Sequence, residues 1–238
     1  MPSLTAKVAT YLLDARRQTD AKTPFHVAIS GGSMPATICD ALVALWPEHA
    51  NDILSQWHWY FVDERIVPLN DPDSTYGLFL SELRKRAGSL DVKKEHIHAI
   101  AAPSDKKEVS LAEAQSIAHA YAESWPPSGI QVALLGMGPD GHTASLFPGH
   151  RLLESTAKCD ALVDSPKPPP PRVTMTFSSL LSVPRVAFII SGTTSKRDIV
   201  KKVLVEKEGA LPATMITQRH PNLQWLLEDE LVADLHLQ

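Results

Sequence analysis

An aspartate and a histidine separated by one glycine lie in the stretch LLGMGPDGHTASLFPG. Gly141 is conformationally permissive, so the side chains of the residues that flank it, Asp140 and His142, can both point into the same cleft. A histidine that is oriented and charge-balanced by a carboxylate is a suitable general base near neutral pH. The glycines of the same stretch also have the spacing G-x-G-x-x-G after an apolar run, which is typical of a dinucleotide-binding turn. The stretch therefore predicts either proton transfer or nucleotide binding.

Nucleotide binding is the weaker interpretation of this stretch. A Rossmann fingerprint opens a helix directly after its glycines and has an acidic residue about twenty positions later to hold the ribose. Here Pro139 stiffens the turn, only a short helix fits before Pro148, and Asp160 and Asp164 lie outside any clear second strand. We expect no dinucleotide and no other cofactor.

The turn ISGGSMP follows a predicted strand and precedes a predicted helix. Glycines at such a junction let backbone N–H groups approach a ligand, and the helix N-terminus favours negative charge. Ser33 can then cap the helix or bind a phosphate oxygen beside Gly31 and Gly32. A tight turn with a serine cap explains the residues equally well, and the Lys-Ser/Thr of a Walker sequence does not follow.

Charged residues follow other predicted strands. FVDERIVP places Asp63, Glu64 and Arg65 at the carboxyl end of a strand, where ligands bind in open α/β sheets, although a solvated loop is a strong alternative for Glu64. Lys196 stands near the start of a helix, where a cation is slightly unfavourable unless an anion is bound there. Arg172 follows the four prolines of SPKPPPPRVT, a stiff tract that could be a docking peptide or could hold the guanidinium in place, although its context alone favours a surface linker.

Helical and strand patterns alternate along the chain, which predicts a mostly parallel sheet with helices on both faces. The first predicted helix runs from Leu4 to Arg17, and Pro47 is expected to end the second. The predicted strands are FHVAIS, WHWYFVDE, HIHAI, IQVALLG and RVAFII, and the segment RVTMTFSSLLSV is expected to be a strand or turn followed by a short helix. We expect a single Rossmann-like α/β domain over residues 1–238.

Composition excludes several classes of protein. The 238 residues carry a formal net charge of −4 with scattered Lys and Arg, so no nucleic-acid partner is expected. The start of the chain does not resemble a signal peptide, and no apolar run has the length of a membrane span. Cys39 and Cys159 give neither a disulfide framework nor metal-ligand spacing. We expect a cytoplasmic protein without a metal site.

The motifs resemble the 6-phosphogluconolactonase family, within the wider fold group that includes glucosamine-6-phosphate deaminase. The resemblance runs through SGGSMP, VDERIVP, DSTYGL, LLGMGPDGHTASLFPG, SPKPPPPRVT and SGTTSKRDIV to LPATMI and LQW. It departs from the family at two positions: Met34 stands where threonine is usual, and Thr75 stands where asparagine is usual. The resemblance implies hydrolysis of 6-phospho-D-glucono-1,5-lactone in the pentose phosphate pathway by a monomer.

The resemblance also implies roles for the residues singled out above. His142 would activate water, Asp140 would support His142, and an oxyanion donor such as a turn amide or Arg65 would meet the intermediate. The remaining predicted substrate-binding residues are Gly31, Gly32, Ser33, Asp63, Arg172 and Lys196.

Three alternatives differ in their sequence requirements. A glucosamine-6-phosphate deaminase would have Asp-Glu-Tyr at the strand end where this chain has Asp-Glu-Arg, with Arg65 in the third position. Its histidine motif would continue toward Asn-Glu-Pro-Gly rather than SLFPG. A non-catalytic sugar-phosphate sensor would need a DNA-binding segment, for which the chain has no room, and this chain retains the Asp140 and His142 pair. A dinucleotide-dependent oxidoreductase rests on glycine spacing alone.

Overall fold

The computed structural model describes residues 2–86, 92–105, 108–192 and 196–233, and its strands form two sheets. The strands are β1 Phe25–Ile29, β2 Trp57–Phe61, β3 Asp63–Arg65, β4 Val132–Leu135, β5 Cys159–Leu162, β6 Arg172–Met175, β7 Arg185–Ile190 and β8 Leu223–Leu227. The α-helices are α1 Leu4–Arg17, α2 Met34–Gln56, α3 Thr75–Arg86, α4 Leu111–Glu123, α5 Phe177–Ser182, α6 Arg197–Leu204, α7 Pro212–Arg219 and α8 Asp229–Val232.

The larger sheet has the strand order β2-β1-β4-β7-β8, and every neighbouring pair in it is parallel. Parallel neighbours need long crossover connections, and helices fill that role between these strands. The predicted mostly parallel α/β sheet is therefore confirmed.

Side chains on the central strands alternate between two hydrophobic cores. Val132 and Leu134 of β4 pack with residues of α1, α2 and α3, whereas Ala133 and Leu135 pack with residues of α4, α5, α6 and α7. Successive strand residues point to opposite faces of a sheet, so the two cores lie on opposite faces. Helices on both faces are confirmed as well.

A second, antiparallel sheet of order β3-β6-β5 was not predicted. The chain leaves β2 at Phe61, and β3 pairs with β6 so that Arg65 lies opposite Arg172. Asp160 lies within β5, so the expectation that it stands outside a strand was wrong. Four residues with three apolar members give little periodicity, and β5 is defined by its pairing with β6.

Pro47 does not end α2, which continues to Gln56. A proline inside a helix removes one backbone hydrogen bond and usually breaks the helix. Here the second half is held by tertiary contacts: Ile53 is fully buried, and Asp52 accepts a hydrogen bond of 2.7 Å from Arg16 in α1. No helix in the described ranges combines the length and the apolar character needed to cross a membrane.

The predicted strand HIHAI was also wrong. Its first residue ends a 3₁₀ turn, Lys94–His96, and Ile97 forms only an isolated parallel bridge with Trp59. The His98 N–H donates to the Trp59 carbonyl at 2.8 Å. The segment therefore runs beside β2, at the edge of the larger sheet, without a regular ladder.

Candidate active site

The turns that follow β1 and β4 and the end of β7 surround a pocket of about 170 Å³. Ligands in open α/β sheets bind beyond the carboxyl ends of the strands, and this pocket lies there. It is lined by Ser30, Gly31, Gly32, Ser33, Met34, Asp63, Arg65, Gly136, Met137, Gly138, His142, Ala144, Ile189, Arg172 and Lys196. Every residue predicted for the site lines this pocket except Asp140, which contacts His142.

His142 and Asp140 form a hydrogen-bonded pair at the pocket wall. Nδ1 of His142 bonds to Oδ1 of Asp140, and the imidazole stacks on Phe147 with ring centroids 4.7 Å apart. The His142 carbonyl accepts a hydrogen bond of 2.9 Å from the Gly138 N–H, which fixes the backbone as well. With its Nδ1 proton donated to Asp140, the neutral imidazole presents Nε2 as the basic nitrogen.

The surroundings of this pair favour a neutral imidazole and an ionised carboxylate. Burial lowers the pKa of His142, and the bond and charge of Asp140 offset only part of that effect. Burial alone would raise the pKa of Asp140, but the hydrogen bond and charge of His142 and the charge of Lys167 leave it lowered. Near neutral pH the pair is therefore ready to accept a proton.

Two glycines of the G-x-G-x-x-G spacing are required by the turn that carries Asp140 and His142. A Cβ on Gly138 would overlap the His142 ring and approach Oδ1 of Asp140 at 2.8 Å. Gly141 has a φ of +76°, and a Cβ there would lie 2.9 Å from Leu211. The segment after these glycines forms turns with one isolated bridge and not the short helix that its length allowed. The glycine spacing thus belongs to the turn that carries the Asp140 and His142 pair, and it lacks the helix of a nucleotide fingerprint.

The glycine turn after β1 lies directly at the N-terminus of α2. Gly32 has a φ of +69°, which is the left-handed region, and its backbone is open on the side that a Cβ would occupy. Ser33 makes no capping bond, and its hydroxyl lies 3.1 Å from the hydroxyl of Ser191 after β7. Ser33 stands at the N-cap position of α2, but its hydroxyl makes no capping bond and Ser33 lines the pocket instead.

Three cationic side chains line the pocket from different elements. Arg172 of β6 is 3% exposed and donates to the carbonyls of Lys167, Pro168 and Pro169 at 2.9 to 3.2 Å. The proline tract lies largely at the surface, as a linker would, and its carbonyls also hold the buried guanidinium in place. Burial lowers the pKa of Lys196, which Glu228 partly offsets.

Arg65 is the third cation and has unused hydrogen-bonding capacity. Its Nη1 donates to the Asp73 carbonyl at 2.8 Å, while its buried Nε has no hydrogen-bond partner among the described residues. A buried donor without a partner is costly, and other atoms of the same side chain line the pocket. Arg65 is thus available to an anionic or carbonyl oxygen.

The two acidic residues of β3 have different surroundings. Asp63 lines the pocket, accepts a hydrogen bond from Ser145 at 2.8 Å and lies 4.0 Å from Nη1 of Arg172. Glu64 is 1% exposed, and burial raises its pKa. Its carboxylate accepts the backbone N–H groups of Thr75 and Tyr76 at the start of α3. Glu64 is therefore a buried structural residue, and the solvated-loop interpretation was wrong.

Sequence reasoning missed Lys167. Its Nζ lies 3.3 Å from Oδ1 of Asp140 and 3.3 Å from Nδ1 of His142. The proline tract contains this lysine, but only the pairing of β6 with β3 and β5 brings the tract to the pair.

A metal site is a separate question. Within the described ranges no group of three or more His, Cys, Asp or Glu side chains is arranged to hold a metal ion.

Comparison with known proteins identifies the family. Residues 2–225 match the family described as glucosamine-6-phosphate isomerases/6-phosphogluconolactonase. The chain belongs to this family. Among the curated members, a 6-phosphogluconolactonase of Rattus norvegicus is 34% identical over 206 residues, which cover 86% of this chain and 78% of that protein. The predicted resemblance is confirmed.

Solved structures show that the family fold is shared. A 6-phosphogluconolactonase from Trypanosoma cruzi has a TM-score of 0.80 at 20% identity, covering 98% of this chain and 93% of that one. A monomeric glucosamine-6-phosphate deaminase has a TM-score of 0.70 at 21% identity, covering 97% and 95%. Two activities occur on similar folds, so the reaction has to be argued from the site.

Proposed function

We propose that this protein hydrolyses 6-phospho-D-glucono-1,5-lactone to 6-phosphogluconate in the oxidative pentose phosphate pathway. The observation that carries the proposal is the Asp140 and His142 pair opening into a pocket that three cationic side chains line. Proton transfer and anion binding then occur in one cavity, as hydrolysis of a phosphorylated lactone requires. The curated relatives named as 6-phosphogluconolactonases support the same substrate.

In the proposed mechanism, Nε2 of His142 takes a proton from water as the water oxygen attacks the lactone carbonyl carbon. The imidazolium that forms is stabilised by Asp140. When the tetrahedral intermediate collapses, the bond between the carbonyl carbon and the ring oxygen breaks, and His142 returns the proton to that oxygen. The new carboxylic acid ionises in solution, so each turnover releases one proton.

The intermediate carries an oxyanion, which needs a preorganised donor. Arg65 is suited to this role because its cationic side chain lines the pocket that His142 also lines, and the phosphate is the other candidate for the same group. The phosphate would lie against Gly31, Gly32 and Ser33 at the N-terminus of α2, with Arg172 and Lys196 balancing its charge. Asp63 would orient Arg172 or a sugar hydroxyl.

The remaining expectations complete the proposal. The protein would act in the cytoplasm as a monomer and as one domain over residues 1–238, without a cofactor, a metal ion, a nucleic-acid partner or a membrane. The net charge of −4 and the scattered basic residues support the absence of a nucleic-acid partner.

Acid release from freshly prepared 6-phosphogluconolactone tests the proposal. The purified protein should release acid faster than a protein-free blank, which corrects for spontaneous hydrolysis of the lactone. A rate equal to the blank would overturn the proposal. Ammonia release from glucosamine 6-phosphate would instead assign the protein to the deaminases, and saturable binding of NAD or NADP would favour the oxidoreductase.

A further inference from the structure

Lys167 is the one residue of the proline tract whose side chain reaches the histidine pair. Its Nζ lies 3.3 Å from the same Asp140 oxygen that bonds His142, and 3.3 Å from Nδ1 of His142 itself. The ammonium is thus a third member of the contact between these two side chains.

The backbone of Lys167 is held on two sides. The hydroxyl of Ser165 accepts the Lys167 N–H at 3.2 Å and donates to the Lys167 carbonyl at 2.9 Å. The same carbonyl accepts a hydrogen bond from Nη2 of Arg172 at 2.9 Å. The lysine is therefore anchored by its main chain to the anion-binding side of the pocket while its side chain lies on the proton-transfer side.

Three charged groups act on the His142 imidazole. Asp140 and Asp63 favour its positive form, whereas Lys167 disfavours it. On Asp140, Lys167 and His142 both favour the ionised carboxylate. The lysine thus opposes the tendency of two carboxylates to keep the imidazole protonated.

We propose that Lys167 is a positioning residue for the histidine pair. Its ammonium fixes the Asp140 oxygen that orients His142, and its charge disfavours a resting imidazolium, so that Nε2 stays available as a base. The inference rests on the proposed lactone hydrolysis for its kinetic consequence, but its electrostatic part concerns the free protein.

The test compares Lys167→Met, which keeps the length of the side chain and removes the charge, with Lys167→Arg, which keeps the charge. Lys22→Met is the matched control, because Lys22 is exposed in the turn before β1. NMR of protein with isotopically labelled histidine follows the titration of His142 without substrate. In Lys167→Met we expect this titration to move to higher pH, while Lys167→Arg and Lys22→Met titrate as wild type.

Kinetics supply the second measurement. The ratio of kcat/KM in Lys167→Met to that in wild type should be smaller at pH 6 than at pH 8, because more of the base is protonated at the lower pH. KM should change by less than about threefold, since the main-chain carbonyl that holds Arg172 remains.

An unchanged His142 titration in Lys167→Met would overturn the proposal. A loss of activity that is equal at both pH values, with Lys167→Arg equally impaired, would also overturn it and assign the lysine a purely structural role. Because the NMR titration needs no substrate, an inactive wild-type protein would overturn the proposed function without deciding the role of Lys167.

Discussion

Histidines lie at both ends of the larger sheet, and their surroundings differ. At the carboxyl ends of the strands, His142 is paired with Asp140 and opens into the pocket. At the amino ends, His26 of β1 and His58 of β2 have ring centroids 5.1 Å apart, and Nδ1 of His58 lies 2.9 Å from Nε2 of His98. The first histidine has a carboxylate partner, whereas the others mainly face one another.

The difference decides what each group can do with a proton. Burial and neighbouring histidines lower the pKa of His26 and of His58 to about 4. These rings have no stabilised cationic form, so they serve as packing groups. His142 is partly buried, but Asp140 offsets part of the lowering of its pKa, so its ring can take up a proton and return it.

Replacing one histidine in each region should separate the two roles most strongly. We expect His142→Ala to lower kcat for lactone hydrolysis by about 10² to 10⁴, because the general base is lost. His58→Gln, the matched change in the other region, should leave kcat/KM within about twofold. Acid release measured for both variants checks this, and equal losses of activity would refute the assignment of the base to His142.

The histidine cluster should make stability depend on pH. His26 has a pKa of about 4 in the folded protein and about 6.5 when unfolded, so the unfolded chain binds more protons between these values. The free energy of unfolding should therefore fall as the pH is lowered from 6.5 to 4, by about 3 kcal/mol for His26. Full stability from this group is present above pH 6.5.

Urea denaturation at several pH values between 7.5 and 4.5 measures this slope. His26→Gln should flatten it, while His119→Gln, a change at an exposed residue of α4, should keep the wild-type slope. The difference between the wild-type and His26→Gln slopes isolates this histidine from the acidic groups that titrate nearby in pH. Identical slopes in these two proteins would remove the contrast between the two regions.

The next test concerns Gly138, which leaves space for the imidazole of His142. Gly138→Ala should lower kcat by roughly a hundredfold, because the Cβ would displace the imidazole and its Asp140 partner from their positions. Gly209→Ala is the matched control, since a Cβ there meets no atom within 4 Å. Kinetic measurements on both variants check the prediction, and near-wild-type activity in Gly138→Ala would show that the turn tolerates a side chain.

Periodicity was enough to predict the layers of this fold because the central strands are buried on both faces. β4 reads as a continuous apolar run and β7 as another, and burial on both faces of a parallel sheet gives such runs. The antiparallel sheet was missed because β5 is a short element defined by its pairing with β6. The prediction that α2 ends at Pro47 was wrong because local propensity does not include the contact between Asp52 and Arg16 that holds the second half of α2.

Most of the predicted site residues stand at strand ends or helix starts, whereas Arg172 was predicted from the proline tract and the family resemblance. Asp140 and His142 follow β4 directly, and Lys196 precedes α6, so their positions follow from the alternation of elements. Lys167 and Ser145 reach the site through pairings between distant segments, and no spacing in the sequence indicates them. The charged neighbours of each site residue could therefore be identified only from the three-dimensional structure.

The smallest predicted effect concerns the positive charge of the pocket. The histidine cluster at the opposite end of the sheet has no such charge, because its rings are neutral near pH 7. Lys196 precedes α6, and burial lowers its pKa, so a bound phosphate would offset the cost of keeping its ammonium charged. Lys196→Ala should raise KM roughly tenfold and change kcat by less than about threefold, because the contact is made in both the ground and the transition state. Lys202→Ala, on the exposed side of the same helix, is the control and should leave both constants unchanged.

Arg172 is less suited to this test because its guanidinium also holds three carbonyls of the proline tract. A fall in kcat alone in Lys196→Ala would move this lysine from the phosphate to the lactone carbonyl.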